Sequence, residues 1–154
     1  SGCKIYLSNN RLKISAPKRL KHIRKTVTAP YPGFPTDCQA LICSALCTAK
    51  GRSVITETVF ENRFGYVNEL RKLGADIYVK NSRAVIKGVE RLFGAELTCT
   101  DLRGGAAAVI ASLNAEGESR IYGITHIDRG YEKLEEILSS LGADIKRINY
   151  EKEQ

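Results

Sequence analysis

A chain of 154 residues, 43% of them apolar, with a net charge of +7, suits one domain that can bury a core without metals or disulfides. Its apolar runs fall far short of the ~20 residues a membrane-spanning helix needs. The start, Ser1-Gly2-Cys3-Lys4, lacks the basic segment and apolar stretch of a secretion signal.

The five cysteines are odd in number and contain no Cys-x-x-Cys pair. That argues against zinc or a disulfide framework and for reduced thiols packed as small apolar groups in a cytoplasmic protein. Residues 1–36 carry eight Lys/Arg and no Asp or Glu, and the remainder is near neutral. A basic arm suits nucleic acid or a small anionic ligand. This one is poor in base-stacking aromatics, so neither nucleic acid nor membrane is an expected partner.

In chain order, residues 4–7 and 12–15 flank Ser8-Asn9-Asn10 and read as a β-hairpin, and residues 22–28 read as extended. Three prolines and a glycine in Pro30-Tyr31-Pro32-Gly33-Phe34-Pro35 dictate a stiff loop. Thr36-Asp37-Cys38-Gln39 has the form of a capping box, opening a helix that runs to Ala49 and stops at Gly51. A strand at 53–58, a loop at 59–64 and a short helix at 65–73 follow, then a hairpin at 76–79 and 84–87 around Asn81-Ser82. Residues 97–100 read as a strand and 102–115 as a helix. A strand at 119–124, a loop at 125–129, a helix at 131–141, a strand at 143–149 and a frayed tail at 150–154 complete the chain.

This order repeats. Thr36-Asp37 and Thr100-Asp101 open the two helices, Gly51 and Gly117 close them, and Arg63 and Arg129 sit in matching loops. Leu-Gly-Ala-Asp-Ile recurs at Leu73 and Leu141. A repeat of this length is an α/β unit that stacks on its neighbour to share a core. The expectation is an α/β (α+β) fold of βαβαββ units. Residues 29–94 and 95–149 form complete units, and residues 1–28 are the end strands of a preceding one. An unaccompanied strand pair, and two units where stacks usually hold at least about three, suggest a piece of a larger protein.

Asp37 and Asp101 each suit two roles, helix N-cap or general base beside a substrate hydroxyl. Arg103 stands in a first helical turn against the dipole. Gly104-Gly105 after it leave amides open to an anion, although a salt bridge to a nearby acid explains the arginine equally. Arg63 and Arg129 are forks suited to carboxylate or phosphate, whereas His126 reads as structural. No Gly-x-Ser-x-Gly, Walker loop, His-Glu-x-x-His or Gly-x-Gly-x-x-Gly motif occurs, and nothing asks for a cofactor or metal. The residues alone describe a two-unit domain presenting arginines and a carboxylate to a small anionic ligand.

Four stretches go further. They are Thr28-Ala29-Pro30-Tyr31-Pro32-Gly33-Phe34-Pro35-Thr36-Asp37, Ile55-Thr56-Glu57-Thr58-Val59-Phe60-Glu61-Asn62-Arg63-Phe64, Thr100-Asp101-Leu102-Arg103 and His126-Ile127-Asp128-Arg129-Gly130-Tyr131-Glu132. In this order they resemble the hallmarks of the UDP-N-acetylglucosamine enolpyruvyl transferases. The resemblance covers about residues 3–148 and corresponds to the C-terminal part of the family chain. It implies an inside-out α/β barrel and transfer of enolpyruvate from phosphoenolpyruvate to the 3-hydroxyl of UDP-N-acetylglucosamine, the first committed step of peptidoglycan synthesis.

Carried over, Asp37 resembles the acid that takes the hydroxyl proton and Val59 a backbone contact to the UDP-sugar. Arg63, Arg103 and Arg129 resemble the clamp on phosphoenolpyruvate, with Asp101 among the substrate-binding positions. The family's other domain, with its loop cysteine or aspartate, and an N-terminal Lys-Asn pair have no counterpart in this chain. None of its cysteines lies in that loop motif, and Gly104-Gly105 replaces a more usual Ala-Ser. The chain alone is therefore expected to be inactive. A relative of 5-enolpyruvylshikimate-3-phosphate synthase and a non-catalytic ligand-binding module of the same fold are the alternatives.

Overall fold

A computed structural model describes residues 1–148. The expected tail at 150–154 and the final residue of the expected strand at 143–149 lie outside the described residues. The chain opens with an antiparallel hairpin, β1 (Lys4–Ser8) and β2 (Arg11–Ser15). Left-handed Asn9 and Asn10 turn it (φ 47° and 61°), as a two-residue hairpin requires.

β3 (Thr26–Val27), α1 (Gln39–Leu46) and β4 (Arg52–Thr56) follow. β3 and β4 pair in parallel, Thr26 opposite Ile55, so α1 is the crossover of a βαβ unit. α2 (Val67–Lys72) leads into the hairpin β5 (Asp76–Lys80) and β6 (Arg83–Lys87), completing a sheet in the order β3-β4-β6-β5. This is a βαβαββ unit. Its first strand lies at Thr26, inside the stretch the sequence reading assigned to the preceding unit.

The second unit repeats the scheme. After β7 (Leu92–Phe93) come β8 (Glu96–Thr98), α3 (Leu102–Leu113), β9 (Ala115–Glu116) and β10 (Arg120–Tyr122). β8 and β10 pair in parallel, Leu97 opposite Ile121, while β7 pairs with β9. The helix expected to reach residue 115 stops at Leu113 because Ala115 joins that ladder. Residues 125–129, expected as a loop, begin with the short helix α4 (Thr125–Asp128), whose Ile127 is buried. α5 (Leu134–Ser140) follows. Gly74 (φ 92°) and Gly142 (φ 97°) end α2 and α5 in the left-handed conformation that makes glycine the usual helix stop.

The strand expected at 143–149 is not formed within 143–148. In the first unit, β5 hydrogen-bonds only to β6 among the described residues. Among the described residues no strand occupies the place of β6 beside 143–148, so the segment has no ladder partner.

α1 and α3 pack against each other with small side chains. Ala40, Cys43, Ser44 and Cys47 line one helix, and Gly104, Ala107, Ala108 and Ala111 the other, all buried. Each set follows the i, i+3, i+4, i+7 stripe of a single helix face. The Ser44 hydroxyl donates to the Ala107 carbonyl across the contact (2.8 Å). Around it sit Leu46, Ile55, Leu70, Leu73, Ile86, Leu92 and Leu97, all fully buried. All five cysteines are free, and no helix among the described residues is long and apolar enough to cross a membrane. Overpacking this contact is the sharpest test of it. Ala107→Leu should lower stability by about 1–3 kcal/mol in urea unfolding, while Ile110→Leu on the exposed side of α3 should leave the midpoint unchanged.

Candidate functional site

The repeat places Asp37 and Asp101 at equivalent helix starts, and their side chains do different work. Asp101 is the N-cap of α3. Its Oδ1 accepts the amides of Arg103 (2.9 Å) and Gly104 (2.8 Å). The first-turn amides expected to receive an anion are therefore already occupied. Gly104 and Gly105 are instead packing residues. A Cβ on Gly104 would stand 2.9 Å from the Cβ of Tyr66, and one on Gly105 2.7 Å from Ile127 Cγ1. The helix start is tight rather than loosened.

Asp37 caps nothing. It lies on a 3-10 turn, Thr36–Cys38, ahead of α1, and the expected capping box does not form. The Thr36 hydroxyl donates to Glu57 Oε2 (2.9 Å), and the Gln39 amide oxygen accepts the Tyr66 hydroxyl (3.0 Å). Left free, the Asp37 carboxylate meets two arginines. Arg103 approaches from the second unit with Nε 3.2 Å from Oδ1 and a terminal nitrogen 3.1 Å from Oδ2, a two-pronged fork. Arg63 reaches Oδ1 at 3.2 Å and lies over the Phe60 ring, 5.1 Å from its centroid.

The Arg103 guanidinium also donates to the Tyr131 hydroxyl at 3.4 Å. Its pKa is raised, mainly by the Asp37 bond and then by Tyr131, so it stays cationic. The arginine side chains are 29% exposed and the Asp37 side chain 57%. Ion pairs this open contribute only ~0–1 kcal/mol to stability, so folding does not account for the cluster. The interaction is open to exchange with an anionic ligand.

Arg129 is exposed and makes no ion pair among the described residues. Its neighbour Asp128 is engaged by Arg147 instead (2.7 Å). A Cβ on Gly130 would stand 2.7 Å from Leu102 Cδ2. That close approach holds the Arg129-Gly130-Tyr131 turn against the first turn of α3, beside Arg103.

Sequence reasoning overlooked Glu57, a buried carboxylate at the end of β4. Oε1 accepts the Thr28 hydroxyl (2.7 Å) and the amides of Val59 (2.8 Å) and Phe60 (3.1 Å), and Oε2 accepts Thr36. Thr58 ties back to Thr28 through both its amide and its hydroxyl. Glu57 thus holds both ends of the proline loop and the Val59 turn in one network. Any backbone contact by Val59 must use its carbonyl, because its amide is taken. Burial alone would raise the Glu57 pKa, but the bonds from Thr28, Val59, Thr36 and Phe60 outweigh it and hold the carboxyl below its ordinary value. The signal available in sequence was a glutamate closing an apolar strand between hydroxyl-bearing residues.

A concavity of about 920 Å³ lies elsewhere, between α3, β10, α5 and residues 142–148. Burial pushes the Cys99 thiol up to about 11, with Asp101 and Glu69 adding to the shift, and the thiol packs beside Gly105.

The fold and the paired arginines define a class. The family model for EPSP synthase (3-phosphoshikimate 1-carboxyvinyltransferase) matches residues 2–138, and the chain belongs to that family. Among individual proteins, it is 53% identical to UDP-N-acetylglucosamine 1-carboxyvinyltransferase 2 of Caldanaerobacter subterraneus, over 96% of this chain and 36% of that protein. It is 50% identical to UDP-N-acetylglucosamine 1-carboxyvinyltransferase of Zymomonas mobilis, over 96% of this chain and 34% of that protein. The chain thus spans about a third of the length of the curated relatives it matches.

Among solved structures, the enolpyruvyl transferase NikO from Streptomyces tendae superposes with a TM-score of 0.85 at 28% identity, covering 94% of this chain and 34% of that one. EPSP synthase from Acinetobacter baumannii, at 19% identity with a TM-score of 0.63 over 96% of this chain and 34% of that one, shares the fold. The architecture is the enolpyruvyl transferase fold expected from the sequence.

Glu57 gives two expected outcomes. Glu57→Ala leaves buried donors unpaired and should cost about 1–3 kcal/mol in chemical unfolding. Because the folded pKa is depressed, the carboxylate stabilises the fold above its ordinary value of 4.5 and that contribution disappears as pH falls through the lower folded value. Glu57→Gln should flatten this acid-side loss of stability; an unchanged slope would show that Glu57 does not titrate as described.

Proposed function

We propose that this chain supplies one wall of the substrate site of a transferase that moves enolpyruvate from phosphoenolpyruvate to the 3-hydroxyl of UDP-N-acetylglucosamine, releasing phosphate. The observation that carries this reading is the Asp37 carboxylate held between Arg63 and Arg103, one arginine from each repeat. The names of relatives up to 56% identical to this chain support the choice of reaction.

Asp37 takes the proton of the sugar hydroxyl as its oxygen bonds to C2 of phosphoenolpyruvate, whose double bond opens as C3 takes up a proton. C3 then gives up a proton, the double bond re-forms as the bond from C2 to the phosphate oxygen breaks, and phosphate departs. Arg63, Arg103 and Arg129 face the phosphate and carboxylate. Preorganised cations of this kind stabilise charge that grows as the leaving group departs. While the site is empty, Asp37 holds two of these arginines in place, and ligand anions take over that role on binding. Asp101 positions Arg103 by capping α3, and Val59 meets the UDP-sugar through its carbonyl. The division into two units, with the first taken from Thr26 rather than residue 29 and the second over 95–149, and a cytoplasmic location belong to the same proposal. So does a requirement for the remaining domain of the enzyme.

The test replaces the matching third of the Caldanaerobacter relative with this chain and measures phosphate release. The chimera should turn over with UDP-N-acetylglucosamine and not with shikimate 3-phosphate, and the chain alone should be inactive. Arg103→Ala in the chimera should lower kcat/KM by roughly 10²–10³, the usual loss for one transition-state charge partner. Release only with shikimate 3-phosphate would transfer the proposal to the other branch of the family. A folded, inactive chimera would support a non-catalytic binding module.

A further inference from the structure

A buried carboxylate is unfavourable unless its lone pairs are used. Glu57 is 2% exposed, and it accepts from four donors, about as many as a carboxylate has lone-pair sites. It therefore has neither surface nor acceptor capacity to offer a ligand. Its donors are not scattered. The Thr28 and Thr36 hydroxyls bracket the proline loop, and the Val59 and Phe60 amides open the loop that leads to Arg63. These are the two irregular segments that carry Asp37, Val59 and Arg63.

The two oxygens hold different segments. Oε2 takes the hydroxyl of Thr36 (2.9 Å), a half-buried residue of the 3-10 turn that carries Asp37. Oε1 takes the amides of Val59 (2.8 Å) and Phe60 (3.1 Å). A trans peptide is planar, so its N–H and C=O point opposite ways. The Val59–Phe60 peptide is trans. The Phe60 N–H that points in at Glu57 therefore turns the Val59 carbonyl away from it. The Phe60 ring in turn lies beneath the Arg63 guanidinium, 5.1 Å from the ring centroid.

We propose that Glu57 is a positioning residue whose carboxylate spans from the Asp37 turn to the Val59 turn, and so sets how far the proton acceptor stands from the carbonyl that meets the UDP-sugar. It acts through Thr36 on Asp37 and through the Val59–Phe60 peptide on the sugar contact, and touches neither substrate. Its bearing on turnover rests on the reaction proposed above. The length of the side chain matters to this role. Aspartate is one methylene shorter and cannot reach both turns from the end of β4 unless one of them moves.

The chimera with the Caldanaerobacter relative carries the test. Thr36→Val keeps the shape of the side chain and removes only the donor to Oε2. It should lower kcat for phosphate release by roughly 10-fold or more, since misplacement by ~1 Å can lose ~10² in rate, and leave the KM for UDP-N-acetylglucosamine unchanged. Thr36→Ser retains the hydroxyl and should recover most of the loss. In the Asp37→Asn background Thr36→Val should lower kcat no further, because the group it positions is gone. Glu57→Asp should lower kcat and raise that KM together. If Thr36→Val lowers only the unfolding midpoint and leaves kcat per folded enzyme unchanged, the proposal is overturned, as it is by unchanged constants in Glu57→Asp. A wild-type chimera without turnover would contradict the reaction rather than the anchor, which is then read directly. Arg103 Nε–H donates to Asp37 (3.2 Å), so its nuclear magnetic resonance signal in the chimera should shift in Thr36→Val and stay in place in Thr36→Ser. A signal unmoved by Thr36→Val would overturn the proposal.

Discussion

The close contact between α1 and α3 is the constraint on which the rest depends. Each helix is the crossover of its own βαβ unit, and each presents a stripe of Ala, Gly, Ser and Cys to the other. Small side chains let the helices approach, and the Ser44–Ala107 bond sets their position. Two helices that start equivalently and pack together bring their N-termini to one end. That is how Asp37 of the first repeat comes within 3.1 Å of Arg103 of the second. Each residue also has a partner in its own unit, Arg63 for Asp37 and Tyr131 for Arg103, and the contact between the helices joins the two pairs.

Divergence between the repeats then supplies the chemistry. Asp101 keeps the structural task of an N-cap and fixes Arg103 at the head of α3. Asp37 lies inside the 3-10 turn ahead of α1 and caps no helix, while its neighbours Thr36 and Gln39 bond to Glu57 and Tyr66. A buried carboxylate satisfied by four donors makes the proline loop and the Val59 turn rigid. Half-exposed ion pairs contribute little to folding, which leaves the arginine fork available to ligand.

Much of this was legible in the sequence. The hairpins and both crossover helices follow from local rules, and the paired Thr-Asp and Leu-Gly-Ala-Asp-Ile segments exposed the repeat, although α1 ends at Leu46 and α3 at Leu113, short of the expected stops at Gly51 and Gly117. What escaped was tertiary in origin. β7 and β9 are two-residue strands that exist through their pairing with each other. α4 forms where Ile127 packs beside Gly105. The capping box at Thr36 and the open amides at Gly104-Gly105 were sound local patterns, overridden by a distant glutamate and by Asp101. The strand expected at 143–149 fails within the described residues for want of a neighbour, which no local propensity reports.

The account stands on Asp37 and Arg103 acting as one unit across the repeat boundary. The direct measurement is a double-mutant cycle, Asp37→Asn, Arg103→Ala and both together, read as phosphate release by the chimera. The account predicts that the double variant is little worse than the more damaged single variant, as for groups that act together. Additive losses, or full turnover by Asp37→Asn, would contradict it.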